Sequence, residues 1–427
     1  LWDSTLPSAE YREKLKNKTL LLINTGGRYK YHLMKRMRAL WVGRIVVLDT
    51  PNDWFLELVD DTIPGDPITP IVGDPCQDER IRSLEQYCRD HDIVFDAIWT
   101  VADKSVVLTA QIAAFFGKPG MDPDMIGRLK NKQTLREWLY DNRTILDNWV
   151  PHVYALPRID PNHVTQEDYP LIIKGKESAW KSLIYIVHDD QELQTKIQEY
   201  GIDVLTLEPY FEWTDIDLNV LVQDGQIQWS GFVENLPAIQ PWFLEDGSVC
   251  HHSISEVQQR EIVLYMQHIL DLSGIKTACL HVEFRIDCQD DDFSFTLIEI
   301  NFRMGGVENF SFHLGRDNHD LIRSNLELAF ALPLSQSHIP LGSGMYRYMQ
   351  NGNYYAHKTG VLTSITPPTI NPNIVEYVFY NPPQMSCVYP PGPNDDIGWV
   401  VAVSSDSVVD MKKALEKALR ETIINIQ

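Results

Sequence analysis

The first 120 residues alternate short, almost continuous apolar runs with segments of helical spacing, and this alternation restricts the fold more than any other feature of the sequence. Three runs are typical of buried strands: KTLLLIN (18–24), RIVVLD (44–49) and DAIWT (96–100). Residues 31–40 and 106–116 have helical spacing. Strands that are apolar along their whole length and alternate with helices form parallel sheets that helices cover. We therefore predict a parallel α/β fold for this part of the chain.

The sequence changes character after residue 122. Residues 125–142 are predicted as one helix, and Asp224-Gly225 is a strong hairpin signal. Strands are predicted at 170–174, 183–187, 204–210, 218–223, 226–233, 279–287 and 293–300, with a helix at 254–272. The Pro- and Ser-rich stretch 333–343 is predicted as a linker, and a strand-rich tail is expected to end in a helix at 407–424.

The charge balance restricts the partners. The 427 residues include 37 basic and 59 acidic side chains, which gives a net charge of −22 at pH 7. A surface this negative repels nucleic-acid phosphates and anionic lipids, so we expect no nucleic-acid and no membrane partner. No apolar run reaches the roughly 18 residues of a transmembrane helix. The six cysteines form no CxxC pair and the start of the sequence has no signal pattern, so we expect a reducing, cytoplasmic location.

The segment with the clearest chemistry is LIEINFRMGG at 297–306. Glu299 and Asn301 are two residues apart on a predicted strand, so their side chains point to one face. Glu283 lies on the preceding predicted strand and reaches the same face if the two strands form a hairpin. Adjacent carboxylates repel each other unless a cation lies between them, and their oxygens suit Mg²⁺ with nucleotide phosphates as its other ligands. The pattern therefore indicates a magnesium site, and a pair of solvated strand acids is the alternative.

These residues resemble the closing signature of the ATP-grasp carboxylate–amine ligases. In that family an H-x-E strand is followed by E-x-N-x-R-x-G-G, which stand here as His281–Glu283 and Glu299–Gly306. The resemblance implies an α/β ATP-grasp fold, with ATP and Mg²⁺, or Mn²⁺ in its place, as cofactors. It also implies three domains: a Rossmann-like domain at 1–121, an ATP-grasp domain at 122–335 with a lid at about 150–207, and a mixed α/β domain at 336–427.

The resemblance also assigns roles to the residues of this signature. Glu283, Glu299 and Asn301 are implied to hold the Mg²⁺ ions that bridge the ATP phosphates. Arg303 is implied to steady the transferred phosphoryl group or the acyl phosphate. A pairing of Arg303 with a substrate carboxylate is the second interpretation of this residue.

The segment EPYF resembles the adenine-binding hinge of the family. The resemblance implies that Glu208 accepts a hydrogen bond from the adenine amino group and that the backbone of Tyr210 and Phe211 contacts the edge of the ring. Asp215 is implied to bind the ribose hydroxyls, with Asp217 as the alternative. A carboxylate acceptor beside backbone amides distinguishes adenine from guanine by hydrogen-bond polarity.

Two lysines are implied to contact the phosphates. Lys174 matches the lid lysine of the family, and Lys132 matches the helix lysine, with Lys130 as the alternative. Point charges on flexible stems suit phosphate oxygens. The loop after Lys174 departs from the family pattern because it contains a single glycine, and we expect Lys176 or Lys181 to supply charge in place of backbone amides.

Within the superfamily, the sequence most resembles L-amino-acid ligases and the ligase half of carnosine synthase. The resemblance implies that ATP phosphorylates an amino-acid carboxylate and that an amine, expected to be another amino acid, then displaces the phosphate. Asp103 is a candidate for holding a substrate ammonium group, or is a plain acid at a helix N-terminus. Glu308 and His313 are candidates for lining the substrate pocket. We expect small-molecule amino-acid and amine substrates and a homodimer.

Two other functions remain as alternatives. One is an ATP-grasp enzyme that couples a carboxylate to a non-amino-acid amine, or a carboxylase. A biotin carboxylase is disfavoured because the sequence shows neither a carrier domain nor a biotinyl-lysine motif. The other is a nucleotide-binding protein that has lost turnover, because Trp180 stands in the lid loop where the family has glycine.

Overall fold

A computed structural model describes most of the chain. The described residues are 9–27, 30–40, 43–50, 55–65, 76–150, 153–154, 159, 163–175, 184–239, 244–250, 253–287, 293–336, 342–380, 384–392 and 395–427. Among their helices, none combines the length and the apolar character needed to cross a membrane.

The N-terminal part is built around a parallel sheet. Its elements are α1 (Ala9–Leu15), β1 (Thr19–Ile23), α2 (Tyr31–Leu40), β2 (Arg44–Asp49), β3 (Asp61–Pro64), α3 (Cys76–Asp90), β4 (Ala97–Trp99) and α4 (Val106–Phe115). The strands pair in parallel in the order β3-β2-β1-β4. The predicted parallel α/β fold is confirmed. Strand β3 was not predicted. Helix α3 was not predicted either, because it is rich in charged residues and has few apolar positions.

The next segment contains two helices where one was predicted. They are α5 (Pro123–Lys130) and α6 (Lys132–Trp149). Asn131 separates them with an extended backbone, and its side-chain oxygen accepts hydrogen bonds from the amides of Gln133 and Thr134 at 2.9 and 3.2 Å. Asparagine is a favoured N-cap residue, so the break is encoded locally and the prediction of one helix is wrong. The break gives Lys130 and Lys132 different surroundings.

A small antiparallel sheet follows, with its own core. Its elements are β5 (Leu171–Gly175), β6 (Ile184–Val187), α7 (Asp190–Tyr200) and β7 (Leu205–Pro209), and the strand order is β6-β5-β7. Leu171 and Ile173 on β5 pack with Leu193 on α7 and with Leu205 and Leu207 on β7. This sheet therefore carries Lys174 and Glu208 on adjacent strands.

A large antiparallel sheet dominates the rest of the chain. The elements are β8 (Thr214–Gln223), β9 (Gln226–Asn235), β10 (Ser248–Val249), α8 (Glu256–Ser273), β11 (Ala278–Asp287), β12 (Ser294–Asn301), α9 (Val307–Asp317), α10 (Leu321–Ala329), β13 (Tyr348–Tyr355), β14 (Gly360–Thr366), β15 (Ile374–Phe379), β16 (Ser386–Cys387), β17 (Asp396–Ser404), α11 (Val408–Glu421) and β18 (Ile423–Ile426). The eight strands of the sheet have the order β12-β11-β8-β9-β10-β13-β17-β15, and a separate group has the order β16-β14-β18. The predicted boundary at residue 335 falls between strands of one sheet, and the three-domain division stays a prediction.

The C-terminus differs from its prediction. The predicted helix over 407–424 ends at Glu421, and β18 then pairs antiparallel with β14. Isoleucine favours strands, and Ile426 is only 5% exposed, so burial against the neighbouring core outweighs continuation of the helix. Residues 337–341 of the predicted linker lie outside the described part of the chain.

A buried ion pair joins the N-terminal part to the central part. The guanidinium of Arg36 on α2 contacts Asp320 Oδ2 at 2.8 Å, and the two side chains are 3% and 4% exposed. The second oxygen of Asp320 accepts hydrogen bonds from the amides of Ile322 and Arg323 at the start of α10. Removing one partner of such a pair leaves a buried charge without compensation.

We therefore expect Arg36→Leu to lower the free energy of unfolding by about 3–5 kcal/mol. Arg260→Leu is the matched control, because Arg260 pairs with Glu256 at 3.3 Å on the exposed face of α8 and the change should cost less than about 1 kcal/mol. Urea unfolding of both variants and the parent protein measures the difference. Equal losses in the two variants would contradict the importance of the buried pair.

Candidate functional site

One face of the sheet formed by β8, β11 and β12 carries two rows of polar side chains. Glu283 pairs in register with Asp217 on one side and with Glu299 on the other. His281 pairs in the same way with Asn219 and Asn301. Because alternate residues of a strand point to one face, both rows lie on the same face. We name Asp217, Glu283 and Glu299 the carboxylate row, and Asn219, His281 and Asn301 the amide row.

The opposite face of these strands is buried. Leu218, Val282 and Ile300 are at most 2% exposed and belong to one core with residues of α8. Packing on that side fixes the register of the three strands, since a slip by one residue would turn apolar side chains toward the polar face. The polar rows are therefore held in place by the core beneath them.

The carboxylate row contains one buried acid, Asp217, and two partly exposed acids, Glu299 and Glu283, whose side chains are 19% and 38% exposed. Burial and the nearby Glu299 raise the pKa of Glu283 well above its ordinary value, and burial raises the pKa of Asp217 to about 8. Burial acts on Glu299 in the same direction, but Lys132 and Asn301 lower its pKa well below its usual range. Within the described part of the chain, Lys132 is the only lysine or arginine that forms an ion pair with this row. The row therefore has the donor set and the excess of acids that suit a divalent cation.

Helix α6 supplies two cations on one face. Lys132 forms an ion pair with Glu299. Arg136, one turn later, lies with Nε 3.1 Å from Glu208 Oε1 and donates from Nη2 to the carbonyl of Ile298 at 2.7 Å. Residues four apart on a helix are neighbours, so both cations face the same space. Arg136 was not predicted, although its spacing from Lys132 was a usable signal.

Lys130 does not share this position. Its Nζ lies 2.9 Å from Asp103 Oδ2. The side chains of Lys130 and Lys132 therefore contact different carboxylates, Asp103 and Glu299. Of the two sequence alternatives, Lys132 is the one beside the carboxylate row.

Lys174 and Glu208 form a buried ion pair across β5 and β7. Lys174 Nζ lies 2.7 Å from Glu208 Oε2, while Arg136 contacts the other oxygen. Burial would raise the pKa of Glu208, but Lys174 and Arg136 lower it to about 2. Glu208 is thus ionised and lies at a defined distance from Lys174, the other predicted ATP-binding residue of this pair.

The predicted hinge is held by Arg285, which the sequence analysis did not single out. Arg285 Nε donates to Asp215 at 2.7 Å, and its Nη1 donates to the carbonyl of Phe211 at 2.6 Å. The amide of Tyr210 donates to the carbonyl of Pro170 at 3.0 Å. The Asp215 side chain is 43% exposed. The Asp217 side chain is 7% exposed, so Asp215 is the more accessible of the two ribose candidates.

A second group of charges lies around Arg303. Arg303 Nε is 3.7 Å from Asp103 Oδ1. Burial, followed by the charge of Arg303, lowers the pKa of Lys30 to about 7. Burial raises the pKa of Glu308 to about 7. Lys30 was not predicted, because nothing in its local sequence distinguishes it from a surface lysine.

The remaining predicted residues are His313, which contacts the amide row, and Lys181. His313 is 1% exposed, its Nε2 lies 3.0 Å from the Asn219 amide, and its Nδ1 lies 3.0 Å from Asp317 Oδ2. Both ring nitrogens are therefore occupied inside the protein, and His313 supports the amide row. Lys181 and the loop 176–183 lie outside the described residues.

The Glu208 contacts predict a pH dependence of stability. Because the folded-state pKa of Glu208 is below its ordinary 4.5, its contribution is fully present above about pH 4.5 and is lost as the pH falls toward 2. Between about pH 5.5 and pH 3.5 the parent protein should lose more unfolding free energy than Glu208→Gln does. Urea unfolding at both pH values measures the two losses, and equal losses would contradict the ionised buried pair.

Comparison with solved structures gives the fold. The L-amino acid ligase from Bacillus licheniformis is 16% identical with a TM-score of 0.76, covering 96% of this chain and 99% of that one. The phosphoribosylglycinamide synthetase from Anaerococcus prevotii is 15% identical with a TM-score of 0.71, covering 96% and 100%. The biotin carboxylase from Campylobacter jejuni is 16% identical with a TM-score of 0.66, covering 97% and 93%. No protein-family model matches the chain, and no curated protein matches it in sequence. The chain has the ATP-grasp fold.

Proposed function

We propose that this protein is an ATP-dependent ligase that joins an amino-acid carboxylate to an amine, with a second amino acid as the amine. The observation that carries the proposal is the carboxylate row facing Lys132 on α6, with Lys174 and Glu208 on the neighbouring small sheet. Adjacent acids opposite basic side chains suit a nucleoside triphosphate with its divalent ions. The similarity in fold to an L-amino acid ligase over 96% of the chain supports the substrate class.

The donor set fits magnesium. Glu283, Glu299 and Asn301 offer hard oxygen ligands on two adjacent strands and leave positions for phosphate oxygens. Mn²⁺ has similar preferences and is the alternative ion. When bound there, the ion offsets charge on the phosphates and on the transferred group. Before the ion binds, Lys132 forms an ion pair with Glu299. This pairing reduces the repulsion between Glu299 on β12 and Glu283 on β11.

The nucleotide is proposed to lie between the two sheets. Lys174 and Lys132 contact the phosphates, with Lys181 from the lid loop as a further contact. The backbone of Tyr210 and Phe211 contacts adenine and Asp215 contacts the ribose. Glu208 already holds Lys174 and Arg136, so its main effect is to orient these cations, and its remaining lone pairs accept from the adenine amino group.

The acceptor substrate is proposed to lie near Arg303. Arg303 binds the carboxylate or the acyl phosphate formed from it. Asp103 lies 3.7 Å from this guanidinium, and the charges of Asp103 and Glu308 both act on Lys30. In the reaction, a carboxylate oxygen attacks the γ-phosphorus and ADP leaves. The amine nitrogen then attacks the acyl carbon, phosphate leaves, and the nitrogen gives up a proton. His313 acts at a distance by holding Asn219.

A second candidate is a carboxylate–amine ligase with a substrate other than an amino acid. The observation that favours it is the fold similarity to the phosphoribosylglycinamide synthetase, which has a TM-score of 0.71 and is covered over 100% of its length. A homodimer stays a prediction in both cases.

The products test the reaction type. With ATP, Mg²⁺ and pairs of amino acids, we expect ADP and inorganic phosphate in equal amounts, because the γ-phosphoryl group is the one transferred. Chromatography of the nucleotides and a phosphate assay measure both products. Formation of AMP and pyrophosphate would instead mean adenylation and would overturn the proposed route.

The carboxylate row gives the mutational test. Glu299→Gln keeps the volume but removes the charge that holds the ion, so kcat should fall by about 10²-fold or more, which corresponds to roughly 2.7 kcal/mol. Glu416→Gln, on the exposed face of α11, is the matched control and should leave kcat unchanged. Full turnover of Glu299→Gln at saturating Mg²⁺ and ATP would contradict the assignment.

A further inference from the structure

Three side chains on β8 and β11 converge beside the ion position just described. One ring nitrogen of His281 and one carboxylate oxygen each of Asp217 and Glu283 lie within 4.8 Å of one another. His281 Nε2 is 3.7 Å from Asp217 Oδ2 and 4.0 Å from Glu283 Oε1. His281 and Asp217 are 6% and 5% exposed. The Glu283 side chain is 38% exposed, so the space between the three groups opens to solvent at Glu283.

The amide row determines which nitrogen of His281 carries its proton. The backbone amide of Gly305 can only donate, and it donates to Asn219 Oδ1 at 3.2 Å. The Asn219 amide nitrogen then faces Asn309 Oδ1 and His313 Nε2, each at 3.0 Å. His281 Nδ1 lies 3.2 Å from the same Asn219 Oδ1, so it must be the donor. His281 Nε2 therefore presents a lone pair toward the two acids.

This arrangement leaves the Nε2 lone pair without a donor. Among the hydrogen bonds of the described residues, the His281 ring contributes Nδ1, and the two acid oxygens lie 3.7 and 4.0 Å from Nε2. A proton on Asp217 does not bridge the two, because 3.7 Å exceeds the length of an O–H···N hydrogen bond. Asp217 has a side-chain hydrogen bond with Asn235. The Nε2 lone pair and one oxygen of each acid are therefore three potential ligand atoms around one space, which suits a cation.

We propose that Asp217, His281 and Glu283 bind a divalent cation at a position separate from the one between Glu283, Glu299 and Asn301. Ligand atoms about 2.1 Å from one ion lie about 3.0–3.4 Å apart, which small side-chain rotations reach from the observed distances. The inference deepens the proposed function, on which the neighbouring ion position rests. Glu283 is shared by the two positions, as bridging carboxylates are in two-metal sites.

The ligand set also indicates the kind of ion. Mg²⁺ prefers oxygen ligands in a near-ideal octahedron, whereas an imidazole nitrogen favours first-row transition ions such as Mn²⁺ or Zn²⁺. The amide row holds the ring in the required tautomer, as a second layer of hydrogen bonds does around metal-bound histidines. The ion should bind without nucleotide, because its three ligands all come from the protein.

The test uses the full chain with Mn²⁺ alone and no nucleotide. We expect about one bound Mn²⁺ by electron paramagnetic resonance, with a pulsed spectrum that shows coupling to a histidine nitrogen. His281→Gln should remove the coupling and weaken binding at least about 10-fold, and Asp217→Asn should weaken it similarly. His268→Gln, at a partly exposed position on α8, is the matched control and should change neither.

Labelling keeps the test independent of folding in the variants. When the histidines of the parent protein are labelled with ¹⁵N, the coupling between Mn²⁺ and the histidine nitrogen should change from the ¹⁴N pattern of the unlabelled protein to the ¹⁵N pattern. Absence of nitrogen coupling in the parent protein, or no Mn²⁺ binding without nucleotide, would overturn the inference. Loss of turnover in Glu299→Gln would in that case still support the proposed ligase. Conversely, nitrogen-coupled Mn²⁺ without ATP turnover would support this site and count against the ligase.

Discussion

Three carboxylates side by side on adjacent strands are the constraint on which the rest of the site depends. Cross-strand neighbours lie about 5 Å apart, so Asp217, Glu283 and Glu299 are close enough to oppose one another's ionisation. The apolar core on the other face holds the strands in this register. The protein therefore keeps an acidic row that it only partly neutralises through Lys132, and the proposed divalent ions complete the neutralisation.

Helix α6 connects this row to the small sheet. In its first turn, Lys132 forms an ion pair with Glu299. In its second turn, Arg136 contacts Glu208 and donates to the Ile298 carbonyl of β12. Glu208 in turn holds Lys174 on β5. A single helix thus ties the proposed phosphate contacts to the proposed ion ligands. The cap at Asn131, which starts α6 at Lys132, is the local feature that makes this arrangement possible.

The parts of the molecule that the sequence predicted are those encoded by local periodicity. The buried strands follow from their continuous apolar runs, and the placement of Glu299 and Asn301 on one face follows from the two-residue repeat of a strand. The prediction of a single helix over 125–142 was wrong because Asn131 caps a second helix that begins at Lys132. Arg136 and Arg285 were missed because their partners lie about 70 residues away, a pairing that no local pattern contains.

The dependence of nucleotide binding on the divalent ion tests the central claim most directly. Calorimetric titration of the protein with ADP, once with Mg²⁺ and once with a chelator, compares the two affinities. If the carboxylate row holds an ion that contacts the phosphates, ADP should bind at least about 10-fold more tightly with Mg²⁺, a difference of about 1.4 kcal/mol. Equal affinities under the two conditions would contradict a nucleotide-linked ion at this row.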